Sequence, residues 1–319
     1  MKTAQAAAVA EVPVHKRNWK RTLWDNRILL LMCLPAVIFF IVFNYCPLPG
    51  VYMAFTNYNF RDGIFGSPFV GMKNFQFLIQ SGELWALTKN TILYNIVFIV
   101  GGNLLQITFA IMLNEIRCKW FKKVSQTMMF LPYFISVVLI GAIAFNILNY
   151  DTGVLNSLIR QFGGDPVKIY SMPFVWPAII IICQMWQATG YGSIVYFASI
   201  CGIDSSLIEA AEVDGATSWQ RIRYIILPSL KPTFIILLLF ALGGIMKGNF
   251  GLFYNLVGSN SQLFPTTDII ETFVYRTMMS QNNFTTSSAV GLYQSLFGFA
   301  LVMFSNWLVK RIDPDYALF

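Results

Sequence analysis

The chain has 319 residues, of which 56% are hydrophobic and only 12% are charged, and its formal net charge is +7. A soluble domain of average composition is about 25% charged, and a single core of this size could not bury so much apolar surface. The composition therefore excludes an ordinary soluble protein. It predicts an all-α, polytopic membrane protein with about six transmembrane helices.

Six apolar runs are long enough to cross a bilayer, which takes about 20 helical residues. In chain order they are Ile28–Pro47, Ile92–Asn114, Met128–Leu148, Phe174–Phe197, Phe234–Val257 and Val290–Val309. The first run could continue to Phe55, because prolines at 47 and 49 would kink a helix without fixing its end. We expect a basic N-terminal segment (1–27), a transmembrane domain (28–311) and a C-terminal tail (312–319).

The basic residues are distributed unequally between alternate polar segments. Of the 22 Lys and Arg residues, fifteen lie in the N-terminus, the 115–127 loop, the 198–233 loop and the C-terminus, and six lie in the other loops. Because positive residues favour the cytoplasmic side, we expect both termini and the 198–233 loop to be cytoplasmic. The positive charge then reflects membrane orientation and anionic lipid, and it predicts no nucleic-acid partner.

Several chemistries lack the residues they need. His15, in the N-terminal segment, is the only histidine, so a Ser–His protease and an HExxH metalloenzyme are excluded. No Gly-Lys dipeptide occurs, so the chain has no phosphate-binding loop of the GxxxxGK[ST] type. The five cysteines show no disulfide or metal-ligand spacing. We therefore expect no cofactor bound by this chain.

The 198–233 loop has the most distinctive sequence, and it predicts two short helices joined at Gly215. Asp204 or Ser206 could cap the first helix, and Ser206 with Glu209 fits a capping box. Gly215 suits the left-handed position that closes a helix. The second helix is predicted to stop at Pro228.

Thr217 and Gln220 fit a second capping box. Small side chains at Ala210 and Ala211 would let a partner surface approach closely. On local chemistry alone, an equally good interpretation is that Glu209 only caps its own helix and that the glycine only turns the chain.

The loop resembles the EAA loop of ABC importer permeases. The matching pattern is Glu209-Ala210-Ala211, then Gly215, then Ile225-x-Leu227-Pro228, with every spacing intact. Other segments resemble the carbohydrate-uptake branch, which is related to the maltose permease. They are Phe69-Val70-Gly71 with Asn74-Phe75, Asn90-Thr91, Leu131-Pro132 with Ser136, Gly153 with Asn156, and Leu227-Pro228 with Pro232-Thr233. The resemblance covers roughly residues 28–311 and is closest to the six-span oligosaccharide and uronate subgroup.

The resemblance implies a type I ABC importer permease fold in a bacterial cell membrane. Such a permease pairs with a second, usually different, permease chain. It also works with two ATP-binding subunits and with an extracellular or periplasmic solute-binding protein. ATP and Mg would be used by the ATPase partners, so this chain would be a transport subunit and not an enzyme.

The resemblance also implies roles for residues in the loop. The first helix, about Ser205 to Asp214, would be the coupling helix seated on an ATPase subunit, with Glu209 as its polar anchor. The ATPase-coupling residues would be Ser206, Glu209, Ala210, Ala211, Asp214, Gly215, Leu227 and Pro228.

Candidates for a sugar path are fewer. Lys247, the only charge inside a predicted span, would face a watery path and favour an acidic sugar, or else extend to the outer interface. Asn249 and Phe250 follow it, although Gly251 stands where relatives commonly have an acidic residue. Gln184, Trp186, Gln187 and Tyr191 form a polar–aromatic group in the fourth span. Each of these four could instead tie helices together or belong to an interfacial belt.

Three other functions compete with an oligosaccharide importer. A stand-alone secondary carrier or channel is disfavoured by the coupling-loop pattern and by the absence of carboxylates from the apolar runs. An intramembrane enzyme is disfavoured by the lone histidine. A permease for a non-sugar solute stays open, because the docking loop is shared across importers.

Overall fold

The computed structural model describes residues 24–312. The predicted N-terminal segment up to residue 23, which includes His15, and the tail from residue 313 lie outside the described residues. The described residues divide into two compact units, one up to Val51 and the other from Tyr52. In the first unit, α1 (Arg27–Phe40) continues as a π-helical turn (Ile41–Tyr45), and no residue of either segment is buried.

A 3-10 helix at Leu48–Phe55 leads into the second unit. Between residues 52 and 312 the structure is helical apart from connecting segments and an isolated antiparallel bridge of Thr56 with Phe69. The helices are α2 (Gly63–Gly66), α3 (Lys73–Gln80), α4 (Glu83–Glu115), α5 (Lys119–Phe130), α6 (Val137–Leu148), α7 (Val154–Gln161), α8 (Trp176–Cys201), α9 (Ser205–Val213), α10 (Ser218–Arg221), α11 (Leu227–Gly243), α12 (Phe250–Val257), α13 (Phe264–Thr267), α14 (Ile270–Met279) and α15 (Phe284–Ile312).

Five helical segments of the described residues are long and apolar enough to cross a membrane. They are Arg27–Phe55, Glu83–Glu115, Pro173–Cys201, Ser218–Gly243 and Phe284–Arg311. A sixth is possible if Lys119–Phe134 and Val137–Leu148, which meet at 92°, form one broken span. The prediction of about six helices and the extension of the first to Phe55 are confirmed.

The predicted third span, Met128–Leu148, is not one continuous helix. Its helix breaks after Phe134, and Ser136 caps the next helix by accepting a hydrogen bond from the Leu139 amide at 3.3 Å. The carbonyl of Ile135, which lies in the break, accepts a 2.9 Å hydrogen bond from the Gln187 side chain. A distant amide thus satisfies backbone that a helix would otherwise satisfy.

The fifth span lies earlier than predicted. It runs from Ser218 to Gly243, whereas the sequence suggested Phe234–Val257, and residues 218–233 of the predicted loop form its first turns. Pro228 does not stop the helix. A π-helical turn at Ile222–Ile226 precedes it, and such a wide turn accommodates the missing N–H of proline.

Lys247 therefore lies outside the span. It is exposed in the non-helical segment 244–249, which connects α11 to α12.

Close helix crossings depend on glycine. A Cβ at Gly190 of α8 would lie 1.7 Å from the carbonyl oxygen of Met129 in α5. A Cβ at Gly141 of α6 would lie 2.4 Å from the carbonyl oxygen of Asn255 in α12. Small residues at crossings are how membrane helices gain packing contact.

The motif residues of the carbohydrate branch have structural roles. The Asn74 amide donates to the carbonyls of Ala54 and Thr56 at 2.8 and 3.1 Å, and Gly71 has a φ of +61°. Asn156 is fully buried and exchanges hydrogen bonds with the backbone of Val167.

The pair at the start of the second span behaves similarly. Asn90 donates to the carbonyl of Asp268 at 3.1 Å, and the Thr91 hydroxyl accepts from the amide of Ile270 at 3.0 Å. These motif residues fix the connection between α13 and α14 against α4.

Candidate functional site

The first short helix of the loop and the start of the second lie where the local sequence predicts, whereas the second helix continues past Pro228. Asp204, and not Ser206, caps α9, and hydrogen bonds from Ser206 hold the pKa of the Asp204 carboxyl below its usual range. Gly215 has a φ of +78°, in the left-handed region. Its amide donates to the carbonyl of Glu212, and the Ala216 amide donates to the carbonyl of Ala211. This pair of bonds is a Schellman motif, which accounts for glycine at this position.

The second capping box is also present. Thr217 accepts from the amide of Gln220 at 3.3 Å, and the Gln220 side chain accepts from the Thr217 amide at 2.7 Å. The two caps leave a short, well-defined link between α9 and the fifth span.

The surface of α9 is open. Ser206, Glu209, Ala210, Asp214 and Gly215 are exposed, and Ala211 is half-buried. Two apolar side chains of the same helix, at positions 207 and 213, are also exposed. An open groove of about 300 Å³ runs between α9 and the start of the fifth span. Leu227 and Pro228 lie at the start of α11 and are exposed.

Backbone carbonyls around Lys247 are held by amide side chains from two other helices. Asn95 donates to the carbonyls of Ile245 and Lys247, each at 3.0 Å, and Gln294 donates to the carbonyl of Met246 at 2.7 Å. The segment is thus a non-helical turn that side chains of other helices hold in place.

Asn249 has two roles at the end of this turn. Its oxygen caps α12 by accepting from the Leu252 amide, and its nitrogen donates to Gln184 at 2.8 Å. The structure thereby joins two candidate path residues that the sequence placed in different spans.

Sequence reasoning missed Glu271, a carboxylate of α14 beside Lys247. It accepts hydrogen bonds from the amides of Phe250 and Gly248 and from the side chain of Gln294. Burial raises the pKa of the Glu271 carboxyl, and these hydrogen bonds and the Lys247 ammonium oppose that shift. Glu271 lies in a predicted outer loop, so no local pattern pointed to it.

Phe250 belongs to an aromatic cluster beside the same turn. Its ring centroid lies 5.3 Å from that of Tyr254 and 4.9 Å from that of Tyr275, and the two tyrosine rings lie 5.1 Å apart. Aromatic faces next to amides and charges suit the alternating C–H and hydroxyl surfaces of a sugar.

The other fourth-span candidates do not form one group. The Gln187 side chain donates to the carbonyl of Ile135, in the break between Phe134 and Val137. Tyr191 stacks on Tyr133 with centroids 4.4 Å apart, and both rings are about half exposed. Trp186 lines an apolar groove of about 630 Å³ with Met128. Among the fourth-span candidates, Gln184 is the one whose side chain bonds to another candidate residue, Asn249.

Comparisons with known proteins give a consistent result. Residues 102–317 match the family described as "Binding-protein-dependent transport system inner membrane component". YteP of Bacillus subtilis (strain 168), a polygalacturonan/rhamnogalacturonan transport system permease protein, is 34% identical over 320 residues, which cover 99% of each chain. Protein LplB of the same organism is 29% identical over 93% of each chain.

Among solved structures, a chain of a bacterial ABC transporter involved in the import of the acidic polysaccharide alginate is similar. It is 32% identical to this chain, with a TM-score of 0.83 over 92% of this chain and 99% of that one. A second structure shows a bacterial alginate ABC transporter in complex with an alginate pentasaccharide-bound periplasmic protein, and its matching chain has a TM-score of 0.82.

Proposed function

The chain belongs to the family of inner membrane components of binding-protein-dependent transport systems, and from this premise we propose that it imports an acidic oligosaccharide. It is a multi-pass permease subunit of an ABC importer, and hence a transport subunit and not an enzyme. A stand-alone carrier and an intramembrane enzyme are thereby excluded. The observation that carries the substrate class is the similarity, over nearly the whole chain, to permeases for polygalacturonan and alginate.

The proposed assembly contains this chain, a second related permease, two ATP-binding subunits and an external solute-binding protein. The basic residues flanking the spans support cytoplasmic termini, since they concentrate on one set of polar segments. ATP and Mg belong to the ATPase subunits. The bilayer surrounds the exposed apolar helix faces.

We assign ATPase coupling to the exposed surface of α9. Glu209 is the polar anchor, and Ala210 with Ala211 offers a flat face that a groove on the ATPase can approach closely. Ser206 and Asp214 lie at the two ends of this face, and Gly215 ends the helix. Leu227 and Pro228 extend the proposed coupling surface into the fifth span. ATP can shift the importer only if these contacts differ between its inward-facing and outward-facing states.

Gly215→Val is expected to leave the protein inserted but to slow uptake about tenfold. A β-branched residue in the left-handed region costs roughly 1–2 kcal/mol. If the displaced α9 loses about 1.4 kcal/mol of its contact with the ATPase, uptake falls by a factor of ten. The strain would move α9 relative to the fifth span. ATP-dependent uptake into proteoliposomes measures the effect.

The control is Gly163→Val, because Gly163 has a φ of +77°, has open space at its Cβ and lies after α7, outside the loop. It carries the same strain but should leave uptake unchanged. Normal uptake by the Gly215 variant would contradict the coupling role of α9.

We place the sugar path beside the 244–249 turn. Lys247 supplies an exposed cation, Asn249 and Gln184 supply amides, and Phe250 supplies a ring. Tyr191, Gln187 and Trp186 are secondary candidates along the fourth span. A cation beside aromatic faces favours a uronate over a neutral sugar.

Lys247→Met is expected to raise the KM for a uronate pentasaccharide about tenfold and to leave the KM for a neutral pentasaccharide unchanged. One hydrogen bond to a charged group contributes about 1.5–3 kcal/mol, and the neutral sugar has no carboxylate to lose it. The matched control is Lys168→Met, which removes another exposed lysine. If the Lys247 variant had the wild-type KM for every sugar, Lys247 would only extend to the outer interface.

The decisive experiment is purification of the tagged chain from its native membranes in mild detergent, followed by mass spectrometry of co-purifying proteins. We expect an ATPase with a phosphate-binding loop and a second permease. The reconstituted complex should then import a uronate oligosaccharide delivered by its binding protein. Uptake of only neutral sugars, or of a non-sugar solute, would overturn the proposed substrate class.

A further inference from the structure

The coupling helix α9 is weakly anchored to its own chain. No residue of α9 is buried, and its inner face meets the ends of the second and fifth spans across an open cleft of about 190 Å³. Ile208 from α9 and Ile226 from the π-helical turn line this cleft together with charged side chains. Apolar packing between α9 and the spans is therefore limited.

Arg221 crosses this cleft. Its guanidinium forms an ion pair with Glu212 of α9, lies 3.7 Å from the carboxylate of Glu115 and donates to the Ser218 hydroxyl at 3.1 Å. Glu115 is the last residue of the second span helix, and Arg221 is the residue before the π-helical turn of the fifth. One side chain thus joins α9 to two spans.

The burial of these groups is unequal. The Arg221 side chain is 14% exposed, whereas the side chains of Glu115 and Glu212 are 35% and 56% exposed. A cation that is mostly removed from water interacts more strongly with its partners than a surface cation does, and salt screens it less. The planar guanidinium can also face two carboxylates at once, which a lysine ammonium does less well.

We propose that Arg221 is a positioning residue that holds the coupling helix to the inner ends of the second and fifth spans and transmits its displacement to them. The inference rests on the proposed ATP-driven import and identifies the connection inside this chain. Arg221 need not touch the ATPase or the sugar. It acts through Glu212 and Glu115.

The test compares Arg221→Gln, Arg221→Lys and Arg223→Gln in the importer purified with its ATPase and reconstituted in liposomes. Arg223 is a matched control because it is exposed and only two residues away. We expect Arg221→Gln to assemble normally but to import about tenfold less sugar per ATP hydrolysed. The lysine variant should regain much of this ratio, and the Arg223 variant should equal the wild type.

Hydrogen–deuterium exchange separates positioning from loss of fold. Arg221→Gln should speed amide exchange in residues 205–213, while exchange in α4 and α11 stays as in the wild type. In a double-mutant cycle, the effects of Arg221→Gln and Glu212→Gln should be non-additive, since both remove the same ion pair. Arg223→Gln and Glu212→Gln should be additive.

The inference would be overturned if Arg221→Gln imported as much sugar per ATP hydrolysed as the wild type and its amide exchange in residues 205–213 were unchanged. Additivity of the Arg221 and Glu212 variants would overturn it too. Amide exchange in residues 205–213 does not depend on which sugar is carried. A wild-type importer that carries no uronate would therefore refute the proposed substrate, while amide exchange would still decide the role of Arg221.

Discussion

Gly190→Ala is expected to prevent folded protein from accumulating. The added Cβ would lie 1.7 Å from the carbonyl oxygen and 2.5 Å from the carbonyl carbon of Met129. Both are backbone atoms, so no rotamer change can relieve the overlap, and α5 and α8 must move apart where they cross. Overpacking a well-packed site typically costs about 1–3 kcal/mol, and a clash between two backbones should exceed that range.

The matched control is Gly291→Ala, inside α15. A Cβ there meets nothing within 4 Å, and alanine favours a helix over glycine by about 1 kcal/mol. Thermal unfolding in detergent, followed by fluorescence-detected size exclusion, should show the Gly190 variant aggregated and the Gly291 variant at or above wild-type stability. Equal stability of both variants would mean that the crossing of α5 and α8 is not tightly packed.

The features that could be predicted from sequence are those encoded by a few neighbouring residues. Gly215 and the Thr217–Gln220 box set helix ends through bonds that span at most six residues. The existence and approximate number of spans follow from hydropathy, which sums over each helix. For the same reason the helical fold class could be predicted, and so could the extension of the first span past its prolines.

The predicted positions of the spans are wrong where residues distant in sequence determine where a helix breaks. The break before Ser136 depends on Gln187, and the turn around Lys247 depends on Asn95 and Gln294. Hydropathy averaged along the chain continues through such apolar breaks, so the fifth span was placed about 15 residues too late. Glu271 was missed because its partners are separated from it by more than twenty residues in sequence.

Arg276→Ala is expected to destabilise the connection between the fifth and sixth spans by about 3–5 kcal/mol, the usual cost of leaving a buried charge without its partner. The guanidinium pairs with both oxygens of Asp268 at 2.5 and 3.1 Å and stacks 3.9 Å above the ring of Phe264. Asp268 is only 8% exposed, and Thr272 donates to it at 2.7 Å. Removing the arginine leaves the buried Asp268 carboxylate without its ionic partner.

Removing the charges of both Arg276 and Asp268 should restore part of the stability that the Arg276 variant loses. In Arg276→Ala combined with Asp268→Asn, the asparagine oxygen still accepts from Thr272, so we expect an unfolding temperature between those of the single Arg276 variant and the wild type. Arg61→Ala is the control, because Arg61 is exposed and its loss should cost about 1 kcal/mol or less. If the double variant were no more stable than the single one, stacking on Phe264 and not the ion pair would hold α13 against α14.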